Sequence, residues 1–179
     1  HVYALGTVTV LPGERLYVGL AEGPISARRL LVWNAAAEPE VDVIYKVKNE
    51  TEIPFAEGIV RAYRDGLYLG ADFVETTPVG SEGSITVSSL PDVRVRRSAS
   101  RTYSGEQRDD YYIHNVLLEL HNFGTEDLTI AVLDRWQDEA WDFEYSVEPE
   151  RQPDNLLRWD VTVPAGETLE ITYSFRTEY

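Results

Sequence analysis

Along most of the chain apolar and polar residues alternate with a period of two, the repeat of a strand with one covered face. From 41 to 48, Val41, Val43, Tyr45 and Val47 alternate with Asp42, Ile44, Lys46 and Lys48. Between 59 and 74 two such runs flank Asp65-Gly66. That dipeptide favours a type I′ turn, because both positions need a positive φ and the turn's twist matches that of paired antiparallel strands. In the first arm Ile59, Arg61 and Tyr63 share one face. An isolated hairpin is marginal in water, so this one is predicted to pack on further strands. Those are predicted at 2–10, 15–20, 27–33, 41–48, 85–88, 93–101, 111–122, 128–134, 143–147, 156–163 and 168–177. The segment 135–142 reads as a loop or one helical turn.

No window carries a helical period, and Gly or Pro turns punctuate the short runs. The expected fold is therefore all-β, an immunoglobulin-like β-sandwich, as two tandem sandwiches or one extended double sandwich. The polar stretch 98–110, with Gly105, is the expected boundary between domains 1–100 and 101–179. One internal similarity fits a tandem arrangement. Thr7-Val8-Thr9-Val10-Leu11-Pro12-Gly13-Glu14-Arg15-Leu16 resembles Asp160-Val161-Thr162-Val163-Pro164-Ala165-Gly166-Glu167-Thr168-Leu169. The alternative is that strand, Gly-Glu turn, strand is a common way to build a β-turn, and two copies fall short of a repeat array.

A family resemblance rests on a series of short motifs. The run Ile53-Pro54-Phe55-Ala56-Glu57-Gly58-Ile59-Val60-Arg61-Ala62-Tyr63-Arg64-Asp65-Gly66 follows Asn49 at a strand end. Leu69-Gly70, Thr77-Pro78-Val79-Gly80, Val161-Thr162-Val163-Pro164-Ala165-Gly166-Glu167 and Ile171-Thr172-Tyr173-Ser174-Phe175 continue it. The series resembles the C-terminal β-rich domain, of unknown function, of the mucoidy-inhibitor-like family of bacterial and archaeal proteins. The resemblance spans most of the chain, its motifs are structural, and it implies no catalytic motif. Family members carry a helical, coiled-coil-like N-terminal region that this sequence does not show, so nothing tied to that region carries over.

Composition narrows the function classes. Apolar residues make up 43% of the 179, ample for a core, and 31 acidic against 16 basic residues give a net charge of −15. Such a surface repels phosphates, which argues against nucleic acid or an anionic membrane face as partner. No apolar run approaches the roughly 18 residues of a membrane span. Cys is absent, so there is no disulfide and no thiolate metal site. Met is absent too, and the chain starts at His1, as expected of an exported protein after signal-peptide removal.

No set of side chains has catalytic or metal-binding spacing, so no enzyme activity, cofactor or metal is expected. His114 and His121 lie seven apart on one predicted strand, hence on opposite faces, and cannot share a metal. Asp134, Asp138, Glu139 and Asp142 surround Trp136 and Trp141, which leaves a sugar site, with rings stacking on pyranose faces, or a Ca²⁺ site of hard oxygen ligands. Two Trp capping a core beside a solvated acidic loop is the plainer reading. Asn49-Glu50-Thr51 is a glycosylation sequon. Arg94, Arg96, Arg97 and Arg101 form a basic strand that meets either the acidic surface of another copy or charges of its own.

The function expected from these features is a non-catalytic, extracellular or cell-surface structural module making protein–protein contacts. Its expected partners are copies of itself or other cell-surface proteins. The apolar arm Val2, Tyr3, Leu5, Val8 and Val10 precedes the first firm turn. It either pairs within its own sheet or completes a neighbour's, and the second choice gives a filament when the contact does not close into a ring. The alternative is a monomeric cell-envelope domain of a longer protein that binds carbohydrate or protein.

Overall fold

Twelve strands, named in chain order, make up the secondary structure of a computed structural model that describes residues 6–19, 25–105, 110–136 and 139–178. They are β1 (Ser26–Asn34), β2 (Asp42–Lys48), β3 (Gly58–Arg64), β4 (Leu67–Val74), β5 (Glu82–Ser89), β6 (Val93–Ser104), β7 (Tyr111–Asn122), β8 (Leu128–Arg135), β9 (Trp141–Tyr145), β10 (Glu150–Gln152), β11 (Leu156–Val163) and β12 (Thr168–Glu178). No helix occurs among the described residues, as the absence of a helical period predicts. The strands form a six-stranded sheet in the order β10-β11-β8-β1-β2-β5, a four-stranded sheet β6-β7-β12-β9 and a two-stranded sheet β3-β4.

The chain divides into two compact units, and none of the three points of division is the expected one. One unit comprises His1–Arg28 and Tyr45–Ile85, the other Arg29–Ile44 and Thr86–Tyr179. The expected boundary at 98–110 falls instead within one hairpin. β6 and β7 pair without a break from Val93↔Asn122 to Ser104↔Tyr111. Residues 98–104 are polar because this end of the edge strand is exposed on both faces, from Ala99 to Tyr103.

In the larger unit two sheets pack face to face in a sandwich-like arrangement. Ile130 and Val132 of β8, with Leu157 and Trp159 of β11, supply one inner face. Val116, Leu118 and Leu120 of β7, with Ile171, Tyr173 and Phe175 of β12, supply the other. Each lies two residues from the next on its strand, so a period of two sends the whole set to one side. Trp159 and Tyr173 meet across the sheets with ring centroids 5.7 Å apart. Burying each such side chain contributes about 1.5–3 kcal/mol relative to leaving it in water.

The hairpin turn forms as the sequence predicts: Asp65 and Gly66 have φ of 50° and 79°. Among the described residues no further strand pairs with it. β3 and β4 make a sheet of their own, and Ile59, Tyr63, Leu67, Tyr68 and Phe73 are exposed. Two expectations fail in the N-terminal segment. The strand expected at 15–20 is absent from described residues 15–19, and that at 2–10 from described residues 6–10. Alternation gives a segment the side chains of a strand, but a strand exists only where a neighbour takes its backbone hydrogen bonds. β10 was not expected, since three residues carry too little pattern.

Candidate functional site

The N-terminal segment is the most exposed apolar stretch of the described chain. Residues 6–19 hold no strand and are exposed throughout, with Val8 at 50%, Val10 at 47% and Tyr17 at 89% exposure. Of the predicted contact arm, Val8 and Val10 are therefore solvent-facing, while Val2, Tyr3 and Leu5 lie outside the described residues. The segment is not featureless. Glu14 N donates to the Leu11 carbonyl at 3.0 Å, and Gly13 has φ of 86°. This is a type II turn, with Pro12 pre-set for its first central position and Gly13 supplying the positive φ of the second.

The same turn occurs twice more, and there it is clamped. Ser81 N donates to the Pro78 carbonyl and Glu167 N to the Pro164 carbonyl, both at 3.1 Å, with Gly80 and Gly166 at φ 80° and 72°. Beside each corner stands a fully buried Asn at the end of a strand. Asn122 Nδ2 donates to the Val163 carbonyl that enters the corner (3.1 Å) and to the Glu126 carbonyl (2.8 Å). Its Oδ1 accepts from Gly124 N (2.9 Å), and its backbone N donates to Glu167 O (3.0 Å). Asn49 repeats each contact. Nδ2 reaches Thr77 O (3.0 Å) and Ile53 O (2.9 Å), Oδ1 accepts from Thr51 N (3.1 Å), and the backbone N donates to Ser81 O (2.9 Å). Only a carboxamide supplies two donors and an acceptor in this fork. Glycosylation at Asn49 therefore has no place in the folded chain: the sequon nitrogen is buried, with both of its hydrogens committed to carbonyls. The sequence carried the signal in the shared spacing of a strand-ending Asn and a later Pro-x-Gly, but reading only the three-residue sequon hides it.

The basic strand does not form one patch. On β6, residues of odd number face the sandwich interior, so Arg97 points inward and Arg94 and Arg96 outward. Arg94 lies over the Phe123 ring, and Arg96 Nε sits 3.4 Å from the Glu119 carboxylate. Arg101 stacks over Tyr112 at 4.2 Å. Arg97 Nε donates to both oxygens of Asp134, at 2.8 and 3.1 Å. Asp134, fully buried, also accepts from the Tyr173 hydroxyl and the Arg135 amide, each at 2.9 Å. Burial works against the Arg97 charge, but the Asp134 carboxylate more than offsets it and holds the guanidinium above its ordinary value. Burial and that same carboxylate raise the Tyr173 phenol strongly, so it stays a proton donor.

Asp134 thereby leaves the expected sugar or calcium site, since its oxygens are taken up inside the core. Trp136 is half-buried edge-on against Phe143, Trp141 is 40% exposed, and Asp142 pairs with Arg176 at 2.9 Å. Asp138 lies outside the described residues. Among the described residues no three His, Cys, Asp or Glu side chains gather as a metal site. His114 and His121 do face opposite sides, stacked on Phe175 and Phe123 and bonded to Thr177 and Thr168.

Two further surfaces were not anticipated. β6, twelve residues long, is an edge strand of the four-stranded sheet among the described residues. Across the outer face of that sheet runs a groove of about 670 Å³ lined by Ser98, Ser100, Asn115, Thr172, Ser174 and Glu144. No helix among the described residues is long and apolar enough to cross a membrane. No family model matches the chain, and neither a curated protein nor a solved structure is significantly similar to it.

Proposed function

We propose that this chain is a non-catalytic interaction module that assembles with copies of itself, its N-terminal arm adding to an open sheet edge of a neighbour. One observation carries the reading: residues 6–19 present Val8, Val10, Leu11, Leu16, Tyr17 and Val18 to solvent, with no strand partner among the described residues. Strand addition supplies what such a segment lacks, since main-chain hydrogen bonds to the edge give affinity and alternate side chains are buried. An edge as long as β6 is the matching template, because an edge strand presents N–H and C=O groups to which a further strand can add. The contact is heterologous, arm to edge, and such contacts give rings or open filaments. The twin Asn-clamped corners support the companion reading that the two units are related.

The test compares the full chain with Val8→Asp/Val10→Asp by light scattering and electron microscopy over a range of concentrations. Oligomers or fibres from the full chain and monomers from the variant are expected. Identical folded monomers from both would end the assembly reading. The groove on the outer face of the four-stranded sheet favours a second reading, glycan binding, because its hydroxyl and amide side chains together with the apolar Leu117 match a sugar's mix of polar and apolar faces. A glycan array probed with the full chain separates the two.

A further inference from the structure

The two clamped corners share a second property: each carries the chain from one sheet to another. The corner at 164–167 follows β11 of the six-stranded sheet and leads into β12 of the four-stranded one. The corner at 78–81 follows β4 of the two-stranded sheet and leads into β5 of the six-stranded one. The corner at 11–14 has the same turn, the same hydrogen bond and the same positive-φ glycine, and the residues around it match those around 164–167. It differs in what surrounds it. The Val163 and Glu167 carbonyls each accept from Asn122. Among the described residues no donor reaches their counterparts, the carbonyls of Val10 and Glu14. Both flanking limbs, 7–10 and 15–18, are exposed and have no strand partner among the described residues.

From this we infer that the arm docks on a second copy of the chain as a strand–corner–strand arch with two limbs, rather than as one added strand. This rests on the assembly reading above and makes it specific. The match assigns each limb a sheet. The limb before the corner, holding Val8 and Val10, corresponds to β11 and joins the neighbour's six-stranded sheet. The limb after it, holding Leu16 and Val18, corresponds to β12 and joins the neighbour's four-stranded sheet. Among the described residues that sheet ends at β6 and at β9, and β6 is the longer edge, twelve residues against five. In each limb the alternation buries one set of side chains, Val8 with Val10 and Leu16 with Val18, in the space between the two sheets. A turn that joins two sheets also fixes the angle between limbs, which a single flexible strand would not do.

The experiment uses three full-length variants: Val8→Asp/Val10→Asp, Leu16→Asp/Val18→Asp and Gly13→Val. The last opposes the positive φ of the corner, and a Cβ there meets nothing within 4 Å, so any effect comes from the turn itself. All changed residues are exposed in the isolated chain, so circular dichroism should confirm an unaltered fold in each. Loss of assembly in all three, at least tenfold in the concentration needed, is the expected result. Loss in the Val8/Val10 variant alone overturns the arch and leaves single-strand assembly standing. Assembly unchanged in all three, or a full chain monomeric throughout, overturns both. Any other pattern, in which one limb or the corner proves dispensable, also overturns the arch. The chain has no Cys, so a Val18→Cys chain mixed with an Ala99→Cys chain reports the acceptor through a short bismaleimide. Covalent heterodimers are expected, and their absence from an assembling mixture overturns the assignment to β6.

Discussion

Replacing Asp134 by Ala tests the reasoning about the sandwich core most directly. The substitution removes a carboxylate that accepts from Arg97, Tyr173 and the Arg135 amide. A hydrogen bond to a charged group is worth about 1.5–3 kcal/mol, and a buried donor left without a partner costs about 1–3 kcal/mol. Tyr173 is only 3% exposed and cannot turn to water. The Arg97 side chain is 28% exposed and recovers part of its hydration. Breaking a buried pair by removing one partner costs about 3–5 kcal/mol, and the partial exposure of Arg97 places this case toward the lower end. For a chain of this size that is a fall of roughly 6–20 °C in the melting temperature of the transition that carries this unit. Calorimetry and urea denaturation followed by near-ultraviolet circular dichroism read it. The triple variant Arg97→Met/Asp134→Leu/Tyr173→Phe removes both buried side-chain donors with the carboxylate, leaves only the part-buried Arg135 amide without that partner, and should recover most of the loss. The argument is refuted if Asp134→Ala costs less than about 1 kcal/mol, or if the triple variant is as destabilised as the single one.

Two further outcomes follow from the clamps and the half-buried histidine. Asn122→Ala strands the Val163 and Glu126 carbonyls and the Gly124 amide, and a loss of about 2–4 kcal/mol is expected by urea denaturation, with Asn49→Ala showing a similar loss. Burial, and then the nearby Arg101 charge, lower the pKa of His114 below its ordinary 6.5. The unfolded chain therefore binds this proton first, so the contribution of His114 to stability should fall as pH drops through 6.5 toward the lower folded value and change no further below it, and His114→Gln should flatten that part of the slope in pH-dependent melting.

The strands of the larger unit were legible because their pattern and their burial have one cause. Val116, Leu118 and Leu120 alternate with polar neighbours because one side of β7 faces a second sheet, and β7 and β11 end where the sequence places them. The Asp65-Gly66 turn was legible because its backbone conformation is a local property of two residues. At the N terminus the same alternation misled, since Val8 and Val10 have the side chains of a strand but no neighbour among the described residues to pair with. Arg97 and Asp134 look like surface charges in sequence. They meet in the core only because β6 and β8 lie on facing sheets, and a separation of 37 positions hides that from any local reading. Asn49 shows the same limit, for its three-residue context describes a glycan acceptor while its true partner, the Thr77 carbonyl, lies 28 residues on. Composition and periodicity thus determined that the protein is all-β and where most strands run, because those depend on neighbours within a few residues. Which polar groups are buried, where the chain divides and which strand is left unpaired were decided by tertiary structure, because each depends on a partner brought from far along the chain.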